Sequence, residues 1–417
     1  MNNLTQRTMR PLPSGWEWRK LGKVAKIING STPDTNQPEF WDGDILWVTP
    51  TDVGRLTTIE IFDTERKITQ AGLDSCSATM LPAGAVLMTS RAPVGNLAIA
   101  GKPLCTNQGF KSFVPKEGLN NRYLYFALQY FVPDLQKISH GNTFTEITKE
   151  MLMDFYVPIP IEEKEQQRIA SCLETQMAEA QRLQHAAERQ LGSAISLPKN
   201  IVNHEMNQAG NQEGYLIDVL RSIPTSGWPH AYGNELEGIP FLTLTAVLNF
   251  QYDGTQVKYT DTPVNQNGDY WAQPGDIFMS RSNTPELVGQ AAIYNGTPAR
   301  VIYPDLLIRI QPDLSKADIR FVHYWLMSQS ARKYITSNAR GSSGTMKKIT
   351  LEMVRSIPFP SHLEKEQQRH IADDIDQKVV IAKNLLAAAD KQVEAANALP
   401  NSFLIATFGG FVPPIEE

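Results

Sequence analysis

The sequence predicts an α+β protein in which two mixed α/β domains are separated by two long antiparallel helices. The first observation behind this prediction is an internal repeat, because the string KEQQR at residues 164–168 recurs at residues 365–369. Three further matches follow in the same order at offsets between 200 and 202 residues. Such self-similarity over most of a 417-residue chain indicates a duplicated architecture and not one compact core.

Each repeat begins with a mixed segment that is rich in β-branched residues, Gly and Pro. Strand-like runs stand at residues 45–48, 85–88 and 241–244, and a proline pair ends each segment. We therefore predict a first mixed domain over residues 1–160 and a second over residues 207–360. Residues 161–206 are predicted as a central helical spacer, and residues 361–417 as a C-terminal helical spacer and tail.

After each proline pair, a helix opened by Glu and Gln is predicted to run for about 26 residues, or roughly 39 Å. A heptad frame gives both helices a seam with alanine at the same three positions, which predicts that they pack on each other. The alternative is that each helix packs only on its own domain. The predicted seam residues are Ile169, Leu173, Ala180, Leu183 and Ala187 in the first helix, and Ile371, Ile375, Ala382, Leu385 and Ala389 in the second.

The spacing of the two domains bears on their ligand. Two head-to-tail repeats related by a two-fold axis have antiparallel helices and a mixed domain at each end. The predicted helix length is close to one turn of duplex DNA, roughly 34–36 Å, so the arrangement suits a bipartite DNA site. The net charge of −5 argues mildly against nucleic acid. However, charge can segregate between the faces of a protein.

The sequence lacks the motifs of enzymes that act on DNA. It has no Asn- or Asp-Pro-Pro-aromatic motif for adenine methylation and no Gly-x-x-x-x-Gly-Lys-Ser/Thr phosphate loop. A loose metal-nuclease pattern is present at residues 133–134 with Glu162 and Lys164, but Leu363 replaces Glu162 in the repeat. The cysteines and histidines have no metal-ligand spacing, and the chain has no signal-peptide core or membrane-spanning run. We therefore expect a cytoplasmic, non-catalytic protein that binds no metal or cofactor itself.

Several polar loops are candidate DNA contacts, because Arg reads guanine and Asn or Gln reads adenine through paired hydrogen bonds. Each loop is also explained as an ordinary turn or a solvated charged loop. The candidates in the first half are Arg91, Asn107, Gln108, Lys111, His140, Asn142 and Thr143. Those in the second half are Arg281, Ser282, Asn283, Arg340, Ser342, Ser343, Lys347 and Lys348. The tryptophans of these segments are predicted to be structural.

The sequence resembles the specificity subunit of type I restriction–modification enzymes. The matching motifs are LPSGWEW at residues 12–18, IINGSTP at 27–33, FWDGDI at 40–45, TSRAPVG at 89–95 and TNQGFK at 106–111. The two elements that combine a proline pair with KEQQR complete the set, so the resemblance covers nearly the whole chain. The second half departs from the pattern, since Pro304, Asp305 and Leu306 stand where the first half has Asn-Gln-Gly.

This resemblance implies two target-recognition domains, each of which reads one half of a split site in double-stranded DNA. It implies that the helices are both the spacer and the docking surface for two copies of an adenine-N6 methyltransferase subunit. Restriction subunits with ATP-dependent translocase and endonuclease activity are the further partners. S-adenosylmethionine, ATP and magnesium are then expected on the partner subunits. The alternatives are a protein-binding scaffold without DNA affinity and a self-sufficient nuclease.

Overall fold

The computed structural model describes residues 10–91, 93–139, 146–210, 213–229, 237–341 and 346–414. The chain forms two compact units. The first unit consists of residues 1–187 and 393–417, and the second consists of residues 188–392. Each unit therefore contains a mixed α/β part and a portion of both long helices.

Within its described residues, the first unit contains ten strands with helices between them. Its strands are β1 Trp16–Lys20, β2 Ala25–Asn29, β3 Trp41–Val48, β4 Glu60–Ile61, β5 Lys67–Ile68, β6 Val86–Thr89, β7 Leu97–Ala100, β8 Cys105–Thr106, β9 Phe110–Pro115 and β10 Tyr156–Pro160. Its helices are α1 Leu21–Val24, α2 Pro50–Gly54, α3 Gln70–Asp74, α4 Asn121–Ser139, α5 Lys149–Asp154 and the first part of α6 Glu163–Gln208, and a 3₁₀ turn lies at Pro38–Phe40.

A five-stranded sheet with the order β2-β9-β6-β7-β4 forms the centre of the first unit. Strand β6 is buried along its whole length, which explains its continuous run of apolar side chains. Helix α4 covers this sheet with buried aromatic side chains such as Tyr123, Phe126 and Phe131. A second sheet, β5-β3-β8, holds Trp41 and Trp47 in an edge-to-face contact at 5.0 Å, as expected for structural tryptophans.

The second unit contains the same kinds of elements. Its strands are β11 Gly214–Tyr215, β12 Thr225–Ser226, β13 Ile239–Leu242, β14 Val257–Thr260, β15 Ile277–Ser280, β16 Ser282–Asn283, β17 Ala291–Ile293, β18 Leu307–Ile310, β19 Lys347–Lys348 and β20 Pro358–Phe359. Its helices are α7 Ile319–Met327, α8 Gln329–Asn338, α9 Leu351–Arg355 and the first part of α10 Lys365–Phe408, with 3₁₀ segments at Leu216–Val219 and Leu244–Phe250.

The central sheet of the second unit is antiparallel, with the order β12-β18-β15-β17. Strand β15 corresponds to β6, because both are fully buried and both follow a glycine with positive φ. Gly84 precedes β6 with φ 86°, and Gly275 precedes β15 with φ 91°. Glycine adopts this left-handed conformation without the strain of a Cβ atom, so the repeat preserves a backbone requirement.

Both long helices exceed the predicted 26 residues. Helix α6 has 46 residues and passes through Pro198, and α10 has 44 residues and passes through Pro400. A proline removes one helical hydrogen bond, but apolar packing beyond it can keep the chain helical. Val202 and Met206 provide this packing in α6, since both are buried in the core of the second unit. The predicted helix length of about 26 residues was therefore wrong.

The two helices contact each other within each unit. In the first unit, Ile169 and Leu173 near the start of α6 share a core cluster with Leu404 and Phe408 near the end of α10. In the second unit, the end of α6 shares a cluster with the start of α10, which includes Ile375. The contacts therefore run in the antiparallel sense in both units. The α+β class with long central and C-terminal helices is thus as predicted.

The seam differs from the predicted one at two positions. The predicted alanines are buried, as are most of the apolar seam residues, namely Ile169, Leu173, Ala180, Ala187, Ile375, Ala382 and Ala389, and Ile371 is partly buried. Leu183 and Leu385 are 46% and 50% exposed, so their assignment to the helix interface was wrong. A narrow seam of alanine brings the backbones close together, which leaves the bulky leucines outside it.

No helix in the described parts of the chain is long and apolar enough to cross a membrane.

Candidate nucleic-acid interface

The same backbone hydrogen bonds support the candidate loop after the central strand in both units. In the first unit, Ser90 N–H donates to the Gly109 carbonyl at 2.7 Å, and Ile147 N–H donates to the Ser90 carbonyl at 3.0 Å. In the second unit, Arg281 N–H donates to the Leu306 carbonyl at 2.8 Å and Arg281 accepts from Ile349 at 3.0 Å. Arg281 therefore occupies the place of Ser90 and not that of Arg91. Leu306 takes the place of Gly109, in agreement with the alignment of the repeats.

One carboxylate gathers the polar groups of the first loop. Glu146 Oε1 accepts from Ser90 Oγ and from Lys111 Nζ, each at 3.2 Å. Glu146 Oε2 lies 3.9 Å from Arg91 Nη1. The Arg91 side chain is 44% exposed, whereas that of Lys111 is only 10% exposed. Lys111 is therefore not the DNA contact that the sequence predicts, because its ammonium group is buried against Glu146.

The Asn-Gln-Gly turn lies beside this cluster. Asn107 Oδ1 accepts from Gly109 N–H at 2.9 Å, which closes the turn, and Gln108 is exposed. The Thr32 hydroxyl donates to the Gln108 Oε1 atom. A Cβ atom at Gly30 would lie 1.8 Å from the Asn107 carbonyl oxygen, so only glycine permits this close approach. The loop after β2 thus packs against the predicted contacts Asn107 and Gln108.

The second unit presents its cations differently. Strands β16 and β19 pair, with Ser282 opposite Lys348 and Asn283 opposite Lys347. Ser282 is only 5% exposed, so its assignment as a DNA contact was wrong. Arg340 and Lys348 exchange backbone hydrogen bonds at 2.9 and 2.7 Å.

The side chains on this ribbon differ in their exposure. Arg340 and Lys348 are both exposed, Lys347 and Asn283 are half-buried, and Asn283 Oδ1 accepts from Thr284 N–H at 2.9 Å. Arg281 Nη1 donates to Ser226 Oγ at 3.2 Å and to the Asp305 carbonyl at 3.4 Å. Arg340 and Lys348 are therefore the cations of this ribbon that are best placed to meet a phosphate.

Five predicted contacts lie outside the described residues. They are His140, Asn142, Thr143, Ser342 and Ser343. In the chain, Glu146 directly follows the first of these two segments, and Met346 directly follows the second.

Sequence reasoning missed the role of two glutamines in the repeated motif. Gln166 is fully buried, accepts from Asn120 N–H at 2.8 Å and donates to the Pro160 and Gly118 carbonyls at 2.9 and 3.0 Å. Gln368 is also fully buried and makes the matching contacts with residues 318, 363 and 316. The heptad frames of the two helices match at an offset of 202 residues, whereas the KEQQR strings match at 201. The offset of the helices aligns Gln166 with Gln368, and this alignment is the signal from which their shared role could have been predicted.

Arginines reinforce the same junctions between the long helices and the mixed parts. Arg122 in α4 forms ion pairs with Glu60 and with Glu174 in α6. Its counterpart Arg320, in α7, binds Asp318 and two aspartates of α10 at residues 373 and 376. Hydrogen bonding to Asp318 raises the pKa of Arg320 above its ordinary value, and the two further aspartates add to the effect. Each long helix is thus fixed to its unit by a buried glutamine and a charged arginine.

The geometry gives little support to the nuclease pattern. Asp134 forms an ion pair with Lys137 at 3.5 Å, and Glu162 is an exposed residue just before α6. Among the described residues, no group of three or more His, Cys, Asp or Glu side chains is arranged to hold a metal ion.

Comparisons with known proteins show what the first half of the chain is similar to. Residues 13–190 match the model of the type I restriction modification DNA specificity domain. The specificity subunit of the type I restriction enzyme MjaIX from Methanocaldococcus jannaschii is 42% identical over 164 residues, which cover 39% of this chain and 38% of that protein. The HindI specificity subunit from Haemophilus influenzae is 27% identical over 136 residues, which cover 32% of this chain and 29% of that protein. The matched regions thus span less than half the length of these relatives.

Solved structures share the fold over nearly the whole chain. The HsdS subunit from Thermoanaerobacter tengcongensis has a TM-score of 0.64 at 18% identity and covers 97% of this chain and 99% of its own. A chain from a study of type I R-M assembly and conformational transition has a TM-score of 0.69 at 19% identity, with coverages of 97% and 100%. The class is therefore a two-unit α+β protein whose first half matches the model of a DNA specificity domain. The predicted resemblance to type I specificity subunits is confirmed.

Proposed function

We propose that this chain is the non-catalytic specificity subunit of a type I restriction–modification complex and that it reads a bipartite, asymmetric DNA site. The observation that carries the proposal is the pair of equivalent loops. Both have the same backbone hydrogen bonds, but one carries Arg91 beside Glu146, and the other carries Ser282 paired with Lys348 at the same places. Two loops with the same backbone structure and different side chains suit two half-sites of different sequence, because base edges are distinguished by the donors and acceptors that face them.

The long helices are proposed to position the partner subunits. Leu183 and Leu385 stand at equivalent places, 202 residues apart, and both are about half exposed. Ile381, one helical turn before Leu385, is a further exposed apolar residue of α10. Two equivalent leucines fit two copies of one partner, which we assign as the adenine-N6 methyltransferase subunit. Restriction subunits join the same complex, and S-adenosylmethionine, ATP and magnesium are assigned to these partners.

Mapping of methylated adenine across the genome, with and without the chain, tests the proposal. The partner subunits are expressed at the same level in both cells. The expected result is one split motif, with two short unequal half-sites across a fixed gap, that is methylated only when the chain is present. An unchanged methylation pattern would contradict the proposal and would favour the protein-binding scaffold.

A second measurement tests the docking surface. Leu385→Ser is expected to reduce the amount of methyltransferase subunit that co-purifies with the chain, since an apolar contact is lost. Ser402→Ala, at an exposed position on the same helix, is the matched control and is expected to have no effect. Equal co-purification of both variants would remove Leu385 from the interface.

A further inference from the structure

The Glu146 carboxylate connects three segments of the first unit that are distant in sequence. Its Oε1 atom is occupied by two donors, Ser90 Oγ from the loop after β6 and Lys111 Nζ from β9. Its Oε2 atom faces Arg91 at 3.9 Å. Because two donors hold Oε1, the orientation of the carboxylate is fixed and Oε2 is directed toward Arg91.

Lys111 attaches this carboxylate to the sheet. It lies in β9, where its backbone pairs with β2 on one side and with β6 on the other. A buried ammonium group requires a charged partner, because burial removes its hydration. Glu146 supplies this partner, so Glu146 is attached to a strand that is paired on both sides. The same carboxylate then restrains Arg91, whose side chain is 44% exposed.

The contact between Arg91 and Glu146 suits a residue that must still bind something else. A separation of 3.9 Å is an ion pair without a short hydrogen bond, so it attracts the guanidinium group without using the donors that a base edge needs. Guanine offers the O6 and N7 acceptors that match an arginine bidentately. We infer that Glu146 is a positioning residue that holds Arg91 ready to read one guanine in the first half-site. This inference rests on the proposed function.

The second unit provides an internal comparison. At the equivalent places it has Ile308 instead of Lys111, Ser282 instead of Arg91 and Lys348 instead of Glu146. This unit therefore has no arginine held by a carboxylate at that place. Loss of Glu146 is expected to change recognition in one half-site and to leave the other half-site as it was.

Two variants separate the action of Glu146 on Arg91 from its role beside Lys111. Lys111→Met removes the buried cation and leaves the carboxylate facing Arg91. The double variant Lys111→Met with Glu146→Gln also removes the charge that faces Arg91. Since neither variant leaves a buried ammonium group unpaired, both are expected to fold, and circular dichroism of the purified chains checks this. Arg91→Gln identifies the base pair that depends on the arginine.

The readout is the base preference in methylated sites across the genome. We expect Lys111→Met to keep most of the wild-type preference, because Ser90 Oγ still donates to Glu146 Oε1 and the charged carboxylate still faces Arg91. The double variant is expected to raise methylation of sites with a substituted guanine in the first half-site by about tenfold relative to cognate sites. Arg91→Gln is expected to relax the same base pair. An unchanged preference in the double variant, or relaxation at a different base pair from Arg91→Gln, would overturn the inference. A uniform loss of methylation without a change in preference would also overturn it, because it would assign Glu146 a structural role.

A failure of the inference on Glu146 can be distinguished from a failure of the proposed function. If the wild-type chain directs methylation to no motif, the proposed function fails. If the wild-type chain directs methylation to a split motif and only the variants behave otherwise, the inference on Glu146 fails and the proposed function stands.

Discussion

Replacing Gln166 with Ala tests whether a buried glutamine fixes the long helix α6 to the mixed part of the first unit. Gln166 has no exposed surface, and its amide binds three backbone groups in two other segments at 2.8, 2.9 and 3.0 Å. Alanine keeps the helix but removes all three hydrogen bonds. It also leaves a buried N–H group and two carbonyls without this partner.

The magnitude follows from these contacts. Each hydrogen bond contributes about 1 kcal/mol to the free energy of unfolding, so the three together contribute about 3 kcal/mol. For a unit of roughly 200 residues, 1 kcal/mol corresponds to about 2–4 °C in melting temperature. The variant is therefore expected to melt roughly 6–12 °C below the wild type.

Gln167 is a suitable control because it is the next residue of the same motif and is exposed. Its amide donates only to Glu163 at 3.2 Å, within the same helix. Gln167→Ala is expected to change the free energy of unfolding by less than about 0.5 kcal/mol. Thermal unfolding followed by circular dichroism compares the two variants. Equal melting temperatures of the two variants would refute the role assigned to Gln166.

Three further predictions concern the seam, the second core and the charged ribbon. Ala180→Leu is expected to lower the free energy of unfolding, measured in urea, by about 1–3 kcal/mol through overpacking of the seam between the two long helices. Ala178→Leu, at an exposed position of the same helix, is expected to have little effect, and equal losses in the two variants would contradict the assignment of Ala180 to the seam. Burial lowers the pKa of His323, so the unfolded chain binds the proton more readily than the folded chain. The free energy of unfolding is therefore expected to fall as the pH drops below about 6.5, by up to about 1.4 kcal/mol per pH unit. His323→Gln should flatten this slope in urea titrations at pH 5–7, and an unchanged slope would contradict the role of His323. The double change Arg340→Ala with Lys348→Ala is expected to reduce the slope of log affinity for DNA against log salt by about 2, measured by fluorescence anisotropy, and an unaltered slope would exclude both phosphate contacts.

The architecture was predictable from the sequence because the repeat contains whole secondary-structure elements, which recur in the same order in both halves. The shared alanine register indicated a close helix pair, and Ala180 and Ala382 are fully buried. The length of the helices was not predictable from local signals. Pro198 reads as a helix end, whereas the helix continues because Val202 and Met206 beyond it pack in the core of the second unit.

The site was predictable only in its general position. The loops after the central strands were found from the repeat, but which side chains are exposed depends on contacts between distant segments. Lys111 was predicted as a DNA contact, yet Glu146, 35 residues away, keeps it buried. Ser282 reads as a loop residue, yet pairing with Lys348 places it in a strand. Pairings of this kind are set by the folded chain and leave no mark at the level of local composition.

The central claim, that each half of the chain reads its own half-site, is tested most directly by exchanging one half. Residues 207–360 are replaced by the structurally equivalent segment of the HsdS subunit from Thermoanaerobacter tengcongensis. Methylated adenine is then mapped across the genome of cells that express the partner subunits. The account predicts a new split motif in which one half-site is unchanged and the other is new. A motif in which both half-sites change, or in which neither does, would contradict it.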